Sequence, residues 1–414
     1  DIDTHPPVLR VSINSETLKI SPNLYDFFYF FYEPYIFQPV NTIMINNSSI
    51  TLKLEFLRKE YHIMSKPLWG KADDGKDVYR FTLTNSNGIT AVVMNYGANL
   101  LELYVPDKKG EFKDVVLGFN NLSSYFVNNP GFGCSITPYA NRIGNATFNF
   151  EGVTYKLEAN DGINNLHSST NPQPLHRRTW DVINEASNSI EFSISKKDMD
   201  MGFPGNMTIS VAYTLLEDDT LAIEYRATSD RDAVFNPTNH SYFNLGGFDS
   251  GSILNDIVWI DADNFTPTDE CSIPYGEIQP VSETPLDFRI PKTIGRDIDD
   301  TSFDAIRIAS GYDHNYVLNN YDGTFRTIAS LYNTKSGRFM DVSTDLSGLQ
   351  LYTGNYLSPN DGAGKGGFIF DKRHGIAFET QFFPNAVNIP SFPQPIIKAG
   401  KEFHSKTSYH FSVK

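Results

Sequence analysis

The chain has 414 residues, 40% of them hydrophobic and 14% aromatic, which suffices for a large core in one big β domain or two smaller ones. Its net charge of -15 at pH 7 excludes a nucleic-acid partner, because binding to phosphates needs a clustered basic surface. Two cysteines are too few for a disulfide framework or a cysteine-based zinc site in a chain of this length, which favours a reducing, cytoplasmic setting.

Residues 1–63 differ in composition from the rest of the chain, because they are rich in Asn, Ile, Ser, Phe and Tyr, nearly free of glycine and without regular hairpin turns. The chain opens on Asp1, whereas the stretch that follows Met64 is typical of the start of a globular domain. We therefore expect a functional domain over 64–414 and an N-terminal appendage before it, either disordered or a mispredicted upstream translation. The apolar run at 24–37 contains charges and a proline, and no basic segment precedes it, so we predict neither a secretion signal nor a membrane anchor.

Alternation of apolar and polar residues begins near residue 78 and is typical of half-buried strands. One hairpin is predicted over 146–160, around a Glu-Gly turn, and a second over 206–230, around an acidic turn. Shorter strands are expected at 90–105, 189–195, 256–261, 326–333 and 376–389.

Helical periodicity is almost absent, and clusters of Gly, Pro, Asn and Asp separate the strands. The 31 Phe and 22 Tyr residues carry rings that suit a pleated, half-buried surface. The pattern predicts an all-β fold, a large antiparallel β-sandwich with little helix. Neither an internal repeat nor a low-complexity linker divides 64–414, so we expect one domain there.

The segment NPTNHSYFNLGG surrounds His240 with amides, a hydroxyl and two aromatic rings. A lone histidine is more often structural, bonded to a backbone carbonyl. Short polar side chains at this density are costly to bury unless they serve a ligand, however, and they are Asn236, Asn239, Ser241 and Asn244. We interpret the segment as part of a site.

Glu379 is the only acid in the apolar and amide-rich run GIAFETQFFPNAVN. Carboxylates are seldom buried without a partner, so its position implies either a buried salt bridge or a site. One imidazole and one carboxylate suffice for paired acid and base catalysis, which makes His240 and Glu379 the candidate pair.

Five further polar residues are ambiguous by themselves. His167 lies in the turn-rich stretch NNLHSST and is compatible with an ordinary loop histidine. Asn141 and Arg142 occupy PYANRIG, where an arginine at a strand start is usually solvated. Asp313 in GYDHNYVL and Gln350 in GLQLYTGN carry weaker signals still.

Other chemistries lack their motifs, since the sequence has no GxGxxG opening a helix, no Walker loop, no nucleophile elbow around a serine and no HExxH pair. The histidines do not fall at ligand spacing, apart from His404 and His410 near the C-terminus, so we predict no metal and no cofactor. Acid–base chemistry on a neutral polar ligand remains.

The segments together resemble the aldose 1-epimerase (galactose mutarotase) family over about residues 66–412. The segments that carry the resemblance include DVVLGFNNL, NPGFGCSITPYANRIGNATF, GFPGNMTISVAYTL, NPTNHSYFNLGG, GYDHNYVL, GLQLYTGN and ETQFFPNAVN. The sequence is also similar to the mutarotase domain of fungal galactose-pathway enzymes, without their nucleotide-sugar epimerase half. The resemblance implies a galactose mutarotase-like supersandwich with a sugar cleft on one concave face, and interconversion of the α and β anomers of aldohexoses such as galactose and glucose.

The resemblance also implies roles for the candidate residues. Glu379 would be the general base and His240 the general acid, with His167 assisting at the ring oxygen or the neighbouring hydroxyls. The side chains implied to hold sugar hydroxyls are Asn141, Arg142, Asp313 and Gln350. We expect an aromatic ring, of Tyr139 or Phe382, to pack on the apolar face of the sugar. The expected partner is a small-molecule aldose, bound by a monomer or weak dimer without nucleic acid or membrane.

One departure from the family concerns the surroundings of His167. The family usually has a histidine before the Leu-His pair and glycines after it, whereas this chain has Asn165 before and Ser168 and Ser169 after. We expect this change to affect the sugar preference more than the chemistry.

Two alternative functions stay open at this point. A hexose-6-phosphate 1-epimerase would need a basic cluster for the phosphate, and near the motifs we find Arg142 and little else. A non-catalytic sugar-binding or regulatory homologue would be expected to have lost Glu379 or His240, both of which are present.

Overall fold

The computed structural model describes residues 67–170 and 173–414 in full, and of the preceding part only the backbone of an antiparallel strand pair, Met44–Asn46 with Ser49–Thr51. The chain divides into two compact units, Asp1–Ile63 and Met64–Lys414. We expected residues 1–63 to be an N-terminal appendage. Apart from that strand pair, these residues lie outside the described part of the chain. The start of the functional domain near Met64 stays a prediction.

Three large antiparallel sheets make up most of the second unit. The nine-stranded sheet has the strand order Asp181–Ala186, Ser189–Lys196, Met207–Leu215, Thr220–Ser229, Glu402–Val413, Arg338–Thr344, Arg326–Tyr332, Ile257–Ile260 and Lys292–Thr293. The six-stranded sheet has the order Tyr242–Phe243, Ile376–Gln381, Gly348–Tyr352, Asp313–Val317, Asn264–Phe265 and Gln279–Pro280. The five-stranded sheet has the order Leu68–Lys71, Asp77–Thr84, Thr90–Met94, Asn99–Pro106 and Phe112–Asp114.

Smaller elements complete the unit. The two-stranded pairs are Thr147–Phe150 with Val153–Lys156, Arg142–Ile143 with Asn165–Leu166, Ala233–Val234 with Ile396–Ile397, and Cys134–Ile136 with Thr238–His240. The described α-helices are Leu122–Val127 and Asp304–Ala309. The 3-10 turns are Gly144–Ala146, Leu175–Arg177, Asp200–Gly202, Ile294–Arg296, Pro359–Asp361, Lys365–Gly367 and Ala386–Asn388. No helix in the described part of the chain combines the length and the apolar character that crossing a bilayer requires.

The predicted all-β sandwich is confirmed, and so are both hairpins. In the second hairpin the strand Met207–Leu215 buries every other residue, because successive side chains of a strand point to opposite faces. In the first hairpin Glu151 and Gly152 both adopt positive φ, 50° and 77°, which matches the tight turn that joins antiparallel strands.

Two predicted strands are wrong in their extent. The span 90–105 is two strands, since Gly97 and Ala98 take left-handed conformations with φ of 66° and 47° and turn the chain between them. The span 376–389 is a strand only as far as Gln381. Beyond it Pro384 has no N–H to donate to a ladder, and Asn385 is left-handed with φ of 58°.

The core lies between the sheets, and this arrangement gives the six-stranded sheet two unlike faces. One face is apolar and packs into the main core cluster through residues such as Phe243, Phe378 and Leu351. Residues of alternate parity point the other way, and among them are Glu379 and Gln350. The face that turns away from the main core is therefore the polar one, and it carries the site.

Candidate active site

Strand register brings the two predicted catalytic residues together. Tyr242 pairs with Ala377 in an antiparallel ladder, and continuing that register by two residues sets His240 opposite Glu379. On its other side Glu379 pairs with Gln350. Three neighbouring strands thus present an imidazole, a carboxylate and an amide at the same level of the sheet.

The side chains of His240 and Glu379 are close enough to act on one substrate carbon. Nε2 of His240 lies 3.6 Å from Oε1 of Glu379, and the two side chains are only 7% and 3% exposed. The ring of His167 stands nearly perpendicular to that of His240, with 5.2 Å between the ring centroids. One ring nitrogen or carboxylate oxygen from each of the three residues lies within 4.8 Å of the others.

Burial controls the charge of the pair. Burial raises the pKa of Glu379 well above its usual range, the negative charge of Asp313 raises it further, and Arg142 opposes the shift. Burial also lowers the pKa of His240 to about 4. The pKa of Glu379 therefore lies above that of His240. At any pH between these two values Glu379 is protonated and His240 is neutral, so the pair holds one proton.

The backbone of Asn141 fixes the tautomer of His167. The N–H of Asn141 donates to Nδ1 of His167 at 3.1 Å, and the N–H of His167 donates back to the carbonyl of Asn141 at 3.1 Å. Burial lowers the pKa of His167 well below its usual range, so the ring is neutral. Since Nδ1 accepts, the remaining proton sits on Nε2. His167 therefore offers a hydrogen-bond donor.

These three side chains suit proton transfer better than metal binding. A histidine that ligates a metal usually donates its other ring N–H to a neighbouring acceptor. His167 has the opposite arrangement, because its Nδ1 accepts from the backbone and its Nε2 carries the proton. Without His167, only His240 and Glu379 of this group of three could bind a metal. A typical catalytic zinc has three protein ligands. The absence of a metal stays a prediction.

A charged cluster lies beside the pair. Nε of Arg142 donates to Oδ2 of Asp161 at 2.7 Å, and Nη1 of Arg142 lies 4.0 Å from Oδ2 of Asp313. Nε2 of Gln350 donates to Oδ1 of Asp313 at 2.6 Å, which fixes the orientation of that amide. The side chains of Arg142 and Asp313 are 15% and 14% exposed, so solutes have more access to them than to Glu379.

All seven predicted site residues are thus joined in one contiguous set, namely Asn141, Arg142, His167, His240, Asp313, Gln350 and Glu379. The family model described as aldose 1-epimerase matches residues 79–410 of this chain.

The chain belongs to the aldose 1-epimerase family.

Individual members of the aldose 1-epimerase family agree with this assignment. Galactose mutarotase of Sus scrofa is 36% identical over 352 residues, which cover 84% of this chain and 99% of the relative. Aldose 1-epimerase of Escherichia coli strain K12 is 34% identical over 342 residues, which cover 82% of this chain and 97% of the relative. The crystal structure of the GalM/aldose epimerase homologue from C. elegans superposes with a TM-score of 0.74 at 30% identity, covering 81% of this chain and 98% of that one.

Of the two rings expected to pack on the sugar, that of Tyr139 lies in the core, and the role of Phe382 stays a prediction. Tyr139 is fully buried, stacks on Phe203 and accepts a hydrogen bond from the N–H of Val387, so it is unavailable to a sugar. The rings that contact His240 are instead those of Tyr242 and Tyr352, at centroid distances of 5.0 and 6.3 Å. The period of two places Tyr242 on the face of His240, so the sequence held a signal for it.

The amides around His240 form their hydrogen bonds within the protein. Asn236 donates to the carbonyls of Ala140 and Phe382, and Asn244 donates to those of Gly251 and His374. Ser241 donates to Asn239, which donates in turn to the carbonyl of Gly133 and the hydroxyl of Tyr213. These four side chains are therefore satisfied by protein partners, and the part of the segment in a site stays a prediction.

The polar residues on either side of His167 form hydrogen bonds to the backbone. Ser168 has a φ of 51°, and its hydroxyl donates to the carbonyl of Tyr139 and accepts from the same residue's N–H. Asn165 donates to the carbonyls of Glu158 and Ser169. These hydrogen bonds offset the strain of a left-handed non-glycine residue.

Proposed function

We propose that this chain interconverts the α and β anomers of aldohexoses such as galactose and glucose, with Glu379 as the general base and His240 as the general acid. Membership of the aldose 1-epimerase family supports the reaction class. The 3.6 Å separation of Nε2 of His240 and Oε1 of Glu379 is the single observation that supports the two roles.

The separation fits the chemistry of ring opening. The base removes the proton of the O1 hydroxyl while the acid protonates the ring oxygen O5, and the C1–O5 bond breaks to leave the open-chain aldehyde. O1 and O5 are both bonded to C1, so the acid and the base must reach two oxygens that lie side by side. Rotation about C1–C2 and closure on the other face, with the two roles reversed, give the second anomer.

The single proton of the pair makes this cycle reversible without a cofactor. Burial favours the form with a protonated Glu379 and a neutral His240, which is also the form that ring opening leaves behind. Ring opening starts from the carboxylate and imidazolium form, which differs only in the position of the proton. A hydrogen bond from O1–H to the carboxylate favours this second form once the sugar is bound.

The neighbouring side chains supply orientation. Nε2–H of His167 would donate to the ring oxygen or an adjacent hydroxyl. Arg142 and Asp313 would bind sugar hydroxyls through charge-assisted hydrogen bonds, which are shorter and stronger than neutral ones. The side chains of Gln350 and Asn141 would complete the hydroxyl contacts, and Asn141 also holds His167 through its backbone.

A hexose 6-phosphate is a less suitable substrate on electrostatic grounds. Arg142 is already paired with Asp161 and faces Asp313, so the cluster offers two carboxylates for one guanidinium. A phosphate dianion placed there would meet more negative than positive charge. A purely sugar-binding role is disfavoured by the presence and proximity of both His240 and Glu379.

The direct test is a coupled assay with an anomer-specific sugar dehydrogenase, run on galactose, glucose and other aldoses. The proposal predicts that the chain accelerates anomer exchange of at least one unphosphorylated aldohexose. Sugar binding seen by calorimetry without any acceleration would instead support the non-catalytic alternative.

We further propose that the protein acts in the cytoplasm as a monomer or weak dimer. Both cysteines, buried Cys134 and exposed Cys271, are free thiols, which is compatible with a reducing compartment. Light scattering coupled to gel filtration tests the oligomeric state, and fractionation of the native source tests the compartment.

A further inference from the structure

One row of side chains across the six-stranded sheet has hydrogen-bonding capacity that the protein leaves unused. By strand register the row contains Glu379, Gln350 and Asn315, and His240 of the adjoining strand pair continues it, 3.6 Å from Glu379. Within the described part of the chain, one polar atom of each is buried without a partner: Oε2, Oε1, Oδ1 and Nδ1, respectively. Since buried polar groups are nearly always hydrogen-bonded, this row is suited to partners other than protein atoms.

Gln381 extends this polar surface. It lies two residues after Glu379 on the same face of the strand, and its side chain is fully buried. Neither Nε2 nor Oε1 of Gln381 has a partner among the residues described here. Its cross-strand neighbour is Gly348, which has no side chain to offer. A buried amide with both ends unused is costly, so a role near Glu379 accounts for it.

The nitrogens of the neighbouring amides each donate one hydrogen bond within the protein. Nε2 of Gln350 donates to Asp313, and Nδ2 of Asn315 donates to the hydroxyl of Thr266. Of these three amide groups, that of Gln381 alone has a nitrogen without any hydrogen-bond partner among the described residues, so both of its N–H donors are free. An ionised Glu379 carries only acceptors, and its Oε2 needs a donor.

We propose that Gln381 is a positioning residue of the acid–base site, whose amide N–H supplies, through one bridging water, the hydrogen bond that Oε2 of the ionised Glu379 requires. The inference rests on the proposed function. Residues two apart on one strand face are about 7 Å from each other, which favours a bridge over direct contact. A buried water needs two to four polar partners, and Gln381, Glu379 and Gln350 supply them.

The loss of this donor has a signature in the pH profile. Without it the carboxylate form of Glu379 is less stable, so a smaller share of the one-proton pair is in the form that opens the ring. The rate between the two limbs of the profile therefore falls. The alkaline limb, where Glu379 loses its proton, moves to higher pH. The two effects have one cause, so a tenfold fall in rate corresponds to a shift of the limb by about one pH unit.

The test compares kcat/KM profiles for galactose mutarotation, after subtraction of the uncatalysed rate, in the unaltered protein, Gln381→Met and Thr380→Val. Thr380 lies on the same strand but faces the core, where its hydroxyl contacts that of Thr407 at 2.5 Å, so its substitution is a matched control for the loss of a buried polar group. We expect Gln381→Met to lower kcat/KM between the two limbs about tenfold and to move the alkaline limb to higher pH by about one unit. We expect Thr380→Val to leave the limb in place.

An unchanged alkaline limb in folded Gln381→Met, or an equal shift in Thr380→Val, would overturn the inference while leaving the proposed function intact. Absence of activity in the unaltered protein would overturn the proposed function, and this inference with it. Should Gln381→Met fail to fold, Gln381→Leu removes the donor with a shorter, uncharged side chain, with the same expected direction and the same overturning result.

Discussion

Nε2 of His240 lies 3.6 Å from Oε1 of Glu379, although the two residues belong to different sheets. His240 ends the strand Thr238–His240, which pairs with Cys134–Ile136, and Glu379 lies on Ile376–Gln381 of the six-stranded sheet, so strands rather than loops hold the acid and the base. A strand pair is a rigid support, and catalysis on two oxygens of one carbon requires a fixed separation.

The pH dependence of kcat/KM is expected to be bell-shaped and broad. Below about pH 4 His240 is protonated while Glu379 is also protonated, so no base is available. Above the raised pKa of Glu379 the pair has lost its shared proton, so no acid is available. Stopped-flow polarimetry from pH 3 to pH 10 measures both limbs. An acidic limb near the ordinary histidine pKa of about 6.5 would contradict this account of the buried pair.

His167 is expected to remain a neutral ring with its proton on Nε2 across the physiological range. The Asn141 N–H occupies Nδ1, and burial lowers the pKa of His167 well below its usual range. Nitrogen-15 and proton correlation spectra of the imidazole rings measure the tautomer directly, with the denatured chain as a reference in which histidines titrate near about 6.5. Titration of His167 between pH 6 and 7, or a proton on Nδ1, would show that its role is different.

Much of the fold could be predicted from local sequence, because the alternation of apolar and polar residues and the turn residues between two strands determine a hairpin. Alternation in Met207–Leu215 fixes which side chains are buried, and Glu151-Gly152 fixes the turn of the other hairpin. The ends of strands were harder, since Gly97 and Asn385 interrupt spans whose composition still favours strand.

The candidate acid and base could be predicted from the sequence, but not all of the residues that surround them. His240 and Glu379 stood out as polar residues in unusual company. The place of Tyr352 beside His240 depends on which strand lies beside which, and the sequence does not record this register. Gln381 lies two residues after Glu379 on one strand, so the period of two held a signal for its face. The motif of Tyr139 places it near the site, yet its side chain lies in the core and stacks on Phe203.

Arg142→Lys is expected to raise KM for galactose about tenfold with a smaller change in kcat. Lysine provides a point charge and cannot contact Asp161 while pointing a second donor toward Asp313, as the planar guanidinium does. Arg289 supplies a matched control, because it also bridges two aspartates but lies outside the site. Equal effects of Arg142→Lys and Arg289→Lys on KM would argue against a substrate contact by Arg142.

Galactose 6-phosphate is expected to react at least about tenfold more slowly in kcat/KM than galactose at low salt, because Asp161 and Asp313 repel the phosphate. Screening reduces repulsion between accessible charges, so added salt should narrow the difference. A higher kcat/KM on the phosphorylated sugar would favour the hexose-6-phosphate alternative.

The most direct test of the central claim is polarimetry of galactose mutarotation with Glu379→Gln. The substitution keeps the shape of the side chain and removes its ability to accept a proton, and Glu402→Gln, at an exposed glutamate, is the matched control. The account predicts that Glu379→Gln lowers kcat by about 10²–10⁴-fold with the fold retained by circular dichroism, while Glu402→Gln is unaffected. Full activity in folded Glu379→Gln would contradict the assignment of Glu379 as the base.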